Sequence, residues 1–253
     1  MDNGEGTGPR LVVGTGYALY RGPLADSHTH RHAAFQVAYA TGTADPVPMV
    51  TVTDGNGVRH RGAALVVAPM VRHRMEPVRE LVSYFIDPHC AFADRLRTPG
   101  GPGITAAPHW RGLREEQVRP AGALPSARVD PRLRAAMEAA GDDALPLAGL
   151  AARVGLSPQR LRALAQEQLG LPLARWRIWR RLARAADALR AGSTPAEAAL
   201  LGGFADQAHF GRRMREMTGL TPAAVLPALR PTPRPTPLPA PRPTPLPASG
   251  RGR

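Results

Sequence analysis

The chain lacks several residues and patterns whose absence limits what it can be. Its 253 residues include no lysine, so arginine supplies all 33 basic side chains, and Cys90 is the sole cysteine. One cysteine cannot form an intrachain disulfide, which fits a reducing compartment. No apolar run approaches the ~18 residues of a membrane-spanning helix, and the first residues lack the charged and apolar regions of a signal peptide. The sequence therefore predicts a cytoplasmic protein with no membrane partner.

Acidic residues are also scarce, and they are unevenly placed. Residues 1–125 carry 13 arginines and 11 acidic residues, whereas residues 146–226 carry 12 arginines and 5 acidic residues. A generally basic proteome would explain the sign of this charge, but less easily its asymmetry. A basic surplus in one part of a chain indicates a polyanionic partner such as double-stranded DNA.

Residues 146–222 contain the pattern of a helix-turn-helix unit twice. In the first copy Ala151 is small where two helices must cross closely. Gly155 provides the backbone freedom of a tight turn. Ser157 is placed to cap the second helix of the unit, and Pro158 follows at the first helical position, where a missing N–H costs nothing.

The second copy repeats this plan at matching internal offsets. Thr194 and Glu197 predict a capping box, and Ala199 is the small residue at the helix crossing. Gly203 provides the turn, and Asp206 is placed to cap the last helix. The positions predicted to be buried on that last helix are Phe210, Met214 and Met217.

One long helix is predicted between the two units. Residues 173–191 contain neither glycine nor proline and are rich in leucine, alanine and arginine. At ~1.5 Å per residue such a helix spans ~28 Å. This length approaches the ~34 Å between successive major-groove faces of B-DNA, so the helix is suited to hold two recognition helices on one duplex.

Residues 146–225 resemble the DNA-binding domain of AraC-type transcriptional regulators. The resemblance rests on the tandem units, on the Gly203-Phe204-x-Asp206-x-x-His209-Phe210 run, and on the closing Gly219-Leu-Thr-Pro222. It implies a sequence-specific regulator, such as a transcriptional activator, that contacts RNA polymerase and is controlled by a sensor domain. Sensor domains of this family often dimerise, so the resemblance also implies a possible homodimer.

The second helix of each unit is expected to enter the major groove with its N-terminal turns against base edges. Ala163 stands where the family often has a long polar residue, so specificity is expected to depend more on the second unit, with Arg212 suited to guanine and Gln207 to adenine. The resemblance assigns base reading to Gln159, Arg162, Ala163, Gln166, Gln207, Ala208, Gly211 and Arg212. Phosphate contacts are assigned to Arg160, Arg180, Arg181, Arg213 and Arg215.

The first half of the chain has a sequence pattern typical of an all-β domain. Short β-type runs are separated by turn residues and not by helices, which predicts a sandwich or small barrel. A strong hairpin turn is predicted at residues 54–57. The predicted strands cover residues 11–13, 35–39, 49–53, 64–67 and 81–86.

Histidines and glycines in this half resemble the two motifs of the cupin barrel. The matching positions are Gly22, His28, His30, Gly42, Gly62, Pro69 and His73. In metal-dependent cupins, two paired histidines, an acid and a later histidine hold a metal ion. Here Gln36 is the one potential ligand near the place of the acid. The resemblance therefore implies an effector pocket at His28, His30, Gln36 and His73, with a bound divalent metal as the less favoured alternative.

The predicted fold is α+β, with a cupin-like β-barrel or sandwich followed by an all-α domain of two helix-turn-helix units. The chain is divided into a disordered lead at 1–9, a sensor domain at 10–125, a DNA-binding domain at 126–226, and a disordered Pro/Arg-rich tail at 227–253. The function predicted is regulation without enzyme activity. Two alternatives stay open, namely a metal-dependent cupin enzyme with a DNA-binding appendage and an architectural DNA-binding protein without sequence specificity.

Overall fold

The computed structural model describes residues 9–25, 27–42, 47–97, 103–142, 145–220 and 222–229. The predicted disordered lead at 1–9 and the predicted tail at 227–253 lie outside these residues, except for residue 9 and residues 227–229. Below, residues 9–125 are called the β half, residues 126–229 the helical half, and the surface where they meet the seam.

The strands of the β half form two antiparallel sheets. A six-stranded sheet has the order β1-β2-β8-β3-β6-β9, and a three-stranded sheet has the order β5-β4-β7. The strands are β1 (Arg10–Gly14), β2 (Tyr17–Leu24), β3 (Phe35–Ala40), β4 (Val50–Asp54), β5 (Arg59–Gly62), β6 (Leu65–Val67), β7 (His73–Met75), β8 (Val78–Ile86) and β9 (Ile104–Ala106).

The five predicted strands are confirmed as β1, β3, β4, β6 and β8, and the predicted turn at residues 54–57 joins β4 to β5. The Asp54 carboxylate holds this turn by accepting from the backbone N–H groups of Asn56 and Val58. Strands β2, β5, β7 and β9 were not predicted. Strands β5, β7 and β9 have only three or four residues, and β2 contains Gly22 and Pro23, so pairing with neighbouring strands decides their conformation more than propensity does.

Strand β3 is buried on both faces because its alternate residues enter two different cores. Val37 and Tyr39 belong to the core on the outer face of the six-stranded sheet, whereas Ala38 and Ala40 belong to the core between the sheets. The outer face is covered by short 3-10 helices at Ala91–Arg95 and Pro108–Trp110 and by α1 (Glu115–Gly122). The single cysteine, Cys90, is buried in the same core.

The helical half contains the two predicted helix-turn-helix units. Ser157, Thr194 and Asp206 each accept a backbone N–H at a helix start, and the capping box of Thr194 with Glu197 is confirmed. The long connecting helix is confirmed within one residue of its predicted end. The helices are α2 (Pro131–Asp142), α3 (Leu147–Arg153), α4 (Pro158–Leu164), α5 (Leu173–Arg190), α6 (Pro195–Leu201), α7 (Gln207–Thr218) and α8 (Pro222–Leu229).

Two features of this half were not predicted from the sequence. Helix α4 continues as a π-helical segment at Ala165–Leu169, in which Ala165 is fully buried. The predicted tail begins at residue 227, but α8 runs through Pro227 to Leu229. Leu229 is buried, and α8 packs against β1 and α5, so these contacts hold the segment in place despite its proline.

The seam joins the two halves through both apolar and polar contacts. Ala33 and Ala34 of the β half are buried in the main core of the helical half. The Trp179 indole N–H donates to the Asp87 carboxylate at 2.8 Å. Gly219, with φ +72°, lies so close to the β half that an added Cβ would be 2.6 Å from His30 Nδ1.

We expect Gly219→Ala to lower the free energy of unfolding more than Gly155→Ala does. Both residues have positive φ, at +72° and +65°, and a side chain in that conformation costs roughly 1–2 kcal/mol. Gly155 has open space around its Cβ position, whereas a Cβ at Gly219 meets the His30 ring. Gly219→Ala should therefore cost a further ~1–3 kcal/mol from overpacking. Denaturant unfolding of both variants measures the difference, and equal costs would contradict the close seam contact.

Candidate DNA-reading face and seam site

The first candidate site is the surface formed by the second helix of each helix-turn-helix unit. In α4 the side chains of Leu161 and Leu164 are buried, while the residues between them are exposed. In α7 the residues Phe210, Met214 and Met217 are buried, as the sequence predicts. Each helix therefore offers one polar face to solvent while the opposite face is fixed in the core.

The residues predicted to read bases lie on these exposed faces. Gly211 is half-buried, and because it has no side chain the backbone of α7 lies near the surface at that point. Arg212 is exposed beside it. The exposed members of the predicted set are Gln159, Arg162, Ala163, Gln166, Gln207, Ala208 and Arg212.

The five arginines predicted to contact phosphate have different surroundings. Arg160 and Arg215 are exposed. Arg213 forms an ion pair with Glu216 at 2.8 Å. Arg181 lies beside the turn at Gly203, whereas Arg180 lies over the Trp176 ring and lines a cavity at the seam. Arg180 is thus directed towards the β half.

The second candidate site is a cluster of three buried histidines at the seam. His30, His32 and His73 are 5%, 1% and 0% exposed, and their candidate ligand nitrogens all lie within 4.8 Å of one another. His28, which the cupin motif placed in this site, is exposed and lies outside the cluster. His32 occupies the position in the cluster that was predicted for His28. The sequence signal for His32 is its spacing of two residues from His30.

Each imidazole of the histidine cluster is held by a backbone carbonyl at its outer nitrogen. Nδ1 of His30 lies 2.6 Å from the carbonyl of His28, and Nδ1 of His73 lies 2.9 Å from that of Val71. Nδ1 of His32 lies 2.7 Å from the carbonyl of Met217, in α7 of the helical half. The histidine cluster therefore crosses the seam.

Burial keeps these histidines uncharged. Desolvation, followed by repulsion from His73, lowers the pKa of His30 to about 3. Desolvation also lowers the pKa of His32 and of His73, and for His32 the neighbouring imidazoles add to the effect. Neutral imidazole is the form of histidine that binds metal ions.

Gln36 lies next to the histidine cluster on β3. Its Oε1 is 3.1 Å from His73 Nε2, and its amide N–H donates to the Ser83 hydroxyl at 2.9 Å. The sequence-based expectation that Gln36 is placed near the histidines therefore agrees with its position. Binding of an effector or of a metal ion by Gln36 stays a prediction.

A cavity of about 480 Å³ lies in the seam and is lined by both halves. His30 and Gln36 border it, so it adjoins the histidine cluster. Its remaining wall is mainly apolar. The apolar lining includes Leu11, Val13, Ala18, Leu81, Phe85, Trp179, Leu182, Ala183, Ala186, Met214 and Leu220, and the charged lining consists of Asp87, Arg180, Arg184, Asp187 and Arg190.

These features define a class of protein: a β-sheet half with a seam cavity, followed by a helix-turn-helix DNA-binding half. Residues 150–227 match the family model of a helix-turn-helix domain. Search of the curated proteins gave no significant match. None of the described helices is long and apolar enough to span a membrane.

Solved structures with this arrangement include ToxT from Vibrio cholerae. One ToxT structure is 10% identical, covering 85% of this chain and 98% of its own, with a TM-score of 0.54. ToxT bound to an unsaturated fatty acid is 9% identical, covering 83% of this chain and 94% of its own, with a TM-score of 0.53. A regulator with an AraC-type DNA-binding domain from Chromobacterium violaceum is 26% identical, covering 37% of this chain and 88% of its own, with a TM-score of 0.35.

At these identities the ToxT structures establish likeness of fold. The order of a β-sheet half followed by a helical half is confirmed. The predicted tandem helix-turn-helix domain of the AraC type is confirmed as well. The chain therefore has an AraC-type helix-turn-helix domain at residues 150–227, and its overall fold is similar to that of ToxT.

The lowered pKa of His30 predicts acid sensitivity of the metal-free fold. Below pH 6.5, the ordinary pKa of histidine, His30 binds a proton in the unfolded chain. In the folded chain it stays neutral until the pH falls to about 3. Stability is therefore complete above pH 6.5 and is lost as pH falls towards 3, by about 2 kcal/mol at pH 5 from this group.

Urea unfolding in the presence of a chelator, at pH 7 and pH 5, measures this loss. His30→Gln should lose less stability between these pH values than the unmodified chain does. His28→Gln is the matched control, because His28 is exposed and two residues away. An identical pH dependence in all three proteins would contradict the prediction.

Proposed function

We propose that this chain is a sequence-specific transcriptional regulator whose DNA reading is controlled by a small amphipathic molecule in the seam cavity. The observation that carries the proposal is the double role of α5. This helix of 18 residues separates the two recognition helices, and its residues Trp179, Ala183 and Ala186 also line the cavity. An occupant of the cavity thus contacts the element that sets the spacing of the two DNA-reading helices.

The chemistry of the cavity wall favours a ligand with an apolar body and an acidic group. The volume of about 480 Å³ lies within the range of ~300–1,000 Å³ common for small-molecule sites. Three arginines and two acidic residues line it, so its formal net charge is +1. A long-chain carboxylic acid would bury its chain against leucines and phenylalanine and place its carboxylate near Arg180. The fatty acid bound to ToxT supports this choice by likeness of fold.

For DNA we propose the division of roles that the family motif implies. Gln207 and Arg212 on α7 offer long polar side chains to base edges, and Gln159, Arg162 and Gln166 do so in the first unit. The recognition helices can approach DNA closely at three small residues, Ala163, Ala208 and Gly211. Among the predicted phosphate contacts, exposed Arg160 and Arg215 are the best placed. This DNA-reading role would place the protein in the cytoplasm.

Several finer roles come only from the resemblance. We propose contact with RNA polymerase and dimerisation through the β half on that basis. We favour regulation over enzyme activity, because the histidine cluster contains no carboxylate that could act as a general base. We favour sequence-specific reading over an architectural role, because two groove-reading helices are unnecessary for binding phosphate alone.

Arg212→Ala should weaken binding to the specific site by about 1–3 kcal/mol and relax the preference at one base pair. The reason is the loss of a guanidinium able to donate two hydrogen bonds to one guanine. Competition binding with a specific and a random duplex at fixed salt measures both effects. Arg79→Ala is the control, since Arg79 is exposed on the β half and its loss removes the same charge. An equal loss on random DNA would reassign Arg212 to the phosphate backbone.

Oleic acid should raise the Tm of the chain, whereas oleyl alcohol should raise it much less because it lacks the carboxylate. A ligand at 100 times its Kd stabilises the fold by about 2.7 kcal/mol. Ala183→Phe should abolish the shift by filling the cavity, and Ala174→Phe should preserve it, because Ala174 is exposed on the same helix. Equal shifts with acid and alcohol, or in both variants, would contradict a carboxylate site in the seam cavity.

A further inference from the structure

We propose that His30, His32 and His73 bind one divalent transition-metal ion, and that this ion fastens the β half to α7 of the helical half. If the ion regulates DNA binding, it is a second effector, and this part of the inference rests on the proposed function. The existence of the metal site does not rest on that function, because it follows from the geometry of the three side chains.

The spacing of the ligand atoms fits a small ion with nitrogen ligands. The Nε2 atoms of His30 and His32 are 3.1 Å apart. Two imidazole nitrogens on one tetrahedral zinc ion, each at ~2.0–2.1 Å, lie ~3.3 Å from one another. The third ligand atom, on His73, is within 4.8 Å of the others, so small side-chain rotations close the triangle.

The hydrogen bonds of the outer nitrogens fix the tautomer that a metal site needs. A backbone carbonyl can only accept, so each Nδ1 that contacts one must carry the proton and donate it. The carbonyls are those of His28, Met217 and Val71. Each Nε2 is then left with a bare lone pair. Outer-nitrogen bonds of this kind orient metal-binding histidines in known sites.

This arrangement is unfavourable unless a cation lies between the rings. The lone pairs of His30 and His32 meet at 3.1 Å with no proton available to join them. His73 Nε2 lies 3.1 Å from the Gln36 amide, whose N–H can donate to it after a turn of that amide, so the unfavourable contact is the one between His30 and His32. A change of tautomer at His30 or His32 would relieve their contact but would leave a buried carbonyl without its donor. A metal ion satisfies all three imidazoles at once.

The donor set indicates the class of ion. Neutral imidazoles suit zinc, cobalt, nickel and copper better than magnesium or calcium, which prefer oxygen. Gln36 offers an amide oxygen next to His73 as a further weak ligand. The seam cavity borders His30 and gives a path for the ion and for a water molecule or anion in the open position.

The coupling to the helical half is visible in two contacts. His32 donates to the carbonyl of Met217, so the orientation of one ligand depends on the position of α7. Gly219 lies against the His30 ring, because an added Cβ would be 2.6 Å from Nδ1. A metal ion that requires both rings in place therefore stabilises the docked arrangement of the two halves by linkage.

The test uses the full chain, stripped with a chelator and titrated with Zn²⁺, followed by Co²⁺ to record its visible spectrum. We expect one ion per chain and a Co²⁺ spectrum of tetrahedral nitrogen coordination. His32→Ala should weaken Zn²⁺ binding roughly tenfold or more, while His28→Ala should leave it unchanged. If His32→Ala fails to fold, as judged by circular dichroism, His73→Gln serves instead. No binding by the unmodified chain, or equal binding in the ligand variant and His28→Ala, overturns the metal site.

The coupling between the metal site and the helical half is tested by substituting Gly219, which supplies no ligand. Gly219→Ala should weaken Zn²⁺ binding roughly tenfold, as loss of outer support does in other sites, and Gly155→Ala should not. Unchanged Zn²⁺ affinity in Gly219→Ala overturns the coupling across the seam. Specific DNA binding and the oleic-acid shift, measured with chelator present, report on the proposed regulator independently of the metal.

Discussion

The burial of α5 against the β half is the constraint on which the rest of the structure depends. Trp179, in the middle of the helix, packs near Phe85 of β8 and donates its indole N–H to Asp87 at the end of that strand. A buried indole N–H needs such a partner, so the register of α5 on the sheet is specified. Because α5 also packs against α6 and α7, the second DNA-reading unit is positioned by the same contact.

The helix-turn-helix units could be predicted from the sequence because their signals are local. A cap such as Ser157 or Asp206 acts on a backbone N–H three residues away, and a turn glycine acts on its own φ. The repetition of these signals at matching offsets compensated for the weakness of each one. The same locality explains why the connecting helix was predicted within one residue of its end.

The seam site could be predicted only in part, because His30, Gln36 and His73 match a sequence motif but the contacts of the site join distant parts of the chain. His32 is buried by the sheet and bonded to Met217, 185 residues later. Motif spacing favoured His28, and nothing near His28 in the sequence reveals that its side chain is exposed. The strand that carries His73 is three residues long and is defined by pairing with β4, so periodicity gives no signal for it.

The two DNA-reading units differ in how closely they are tied to the seam. Among the described residues, the cavity is lined by Phe210, Met214 and Thr218 of α7, whereas no residue of α3 or α4 lines it. The carbonyl of Met217, also in α7, holds His32. A molecule or ion in the seam would therefore act first on the helix that carries Gln207 and Arg212. The proposed reading of bases by the second unit and the proposed effector site in the seam therefore involve the same helix, α7.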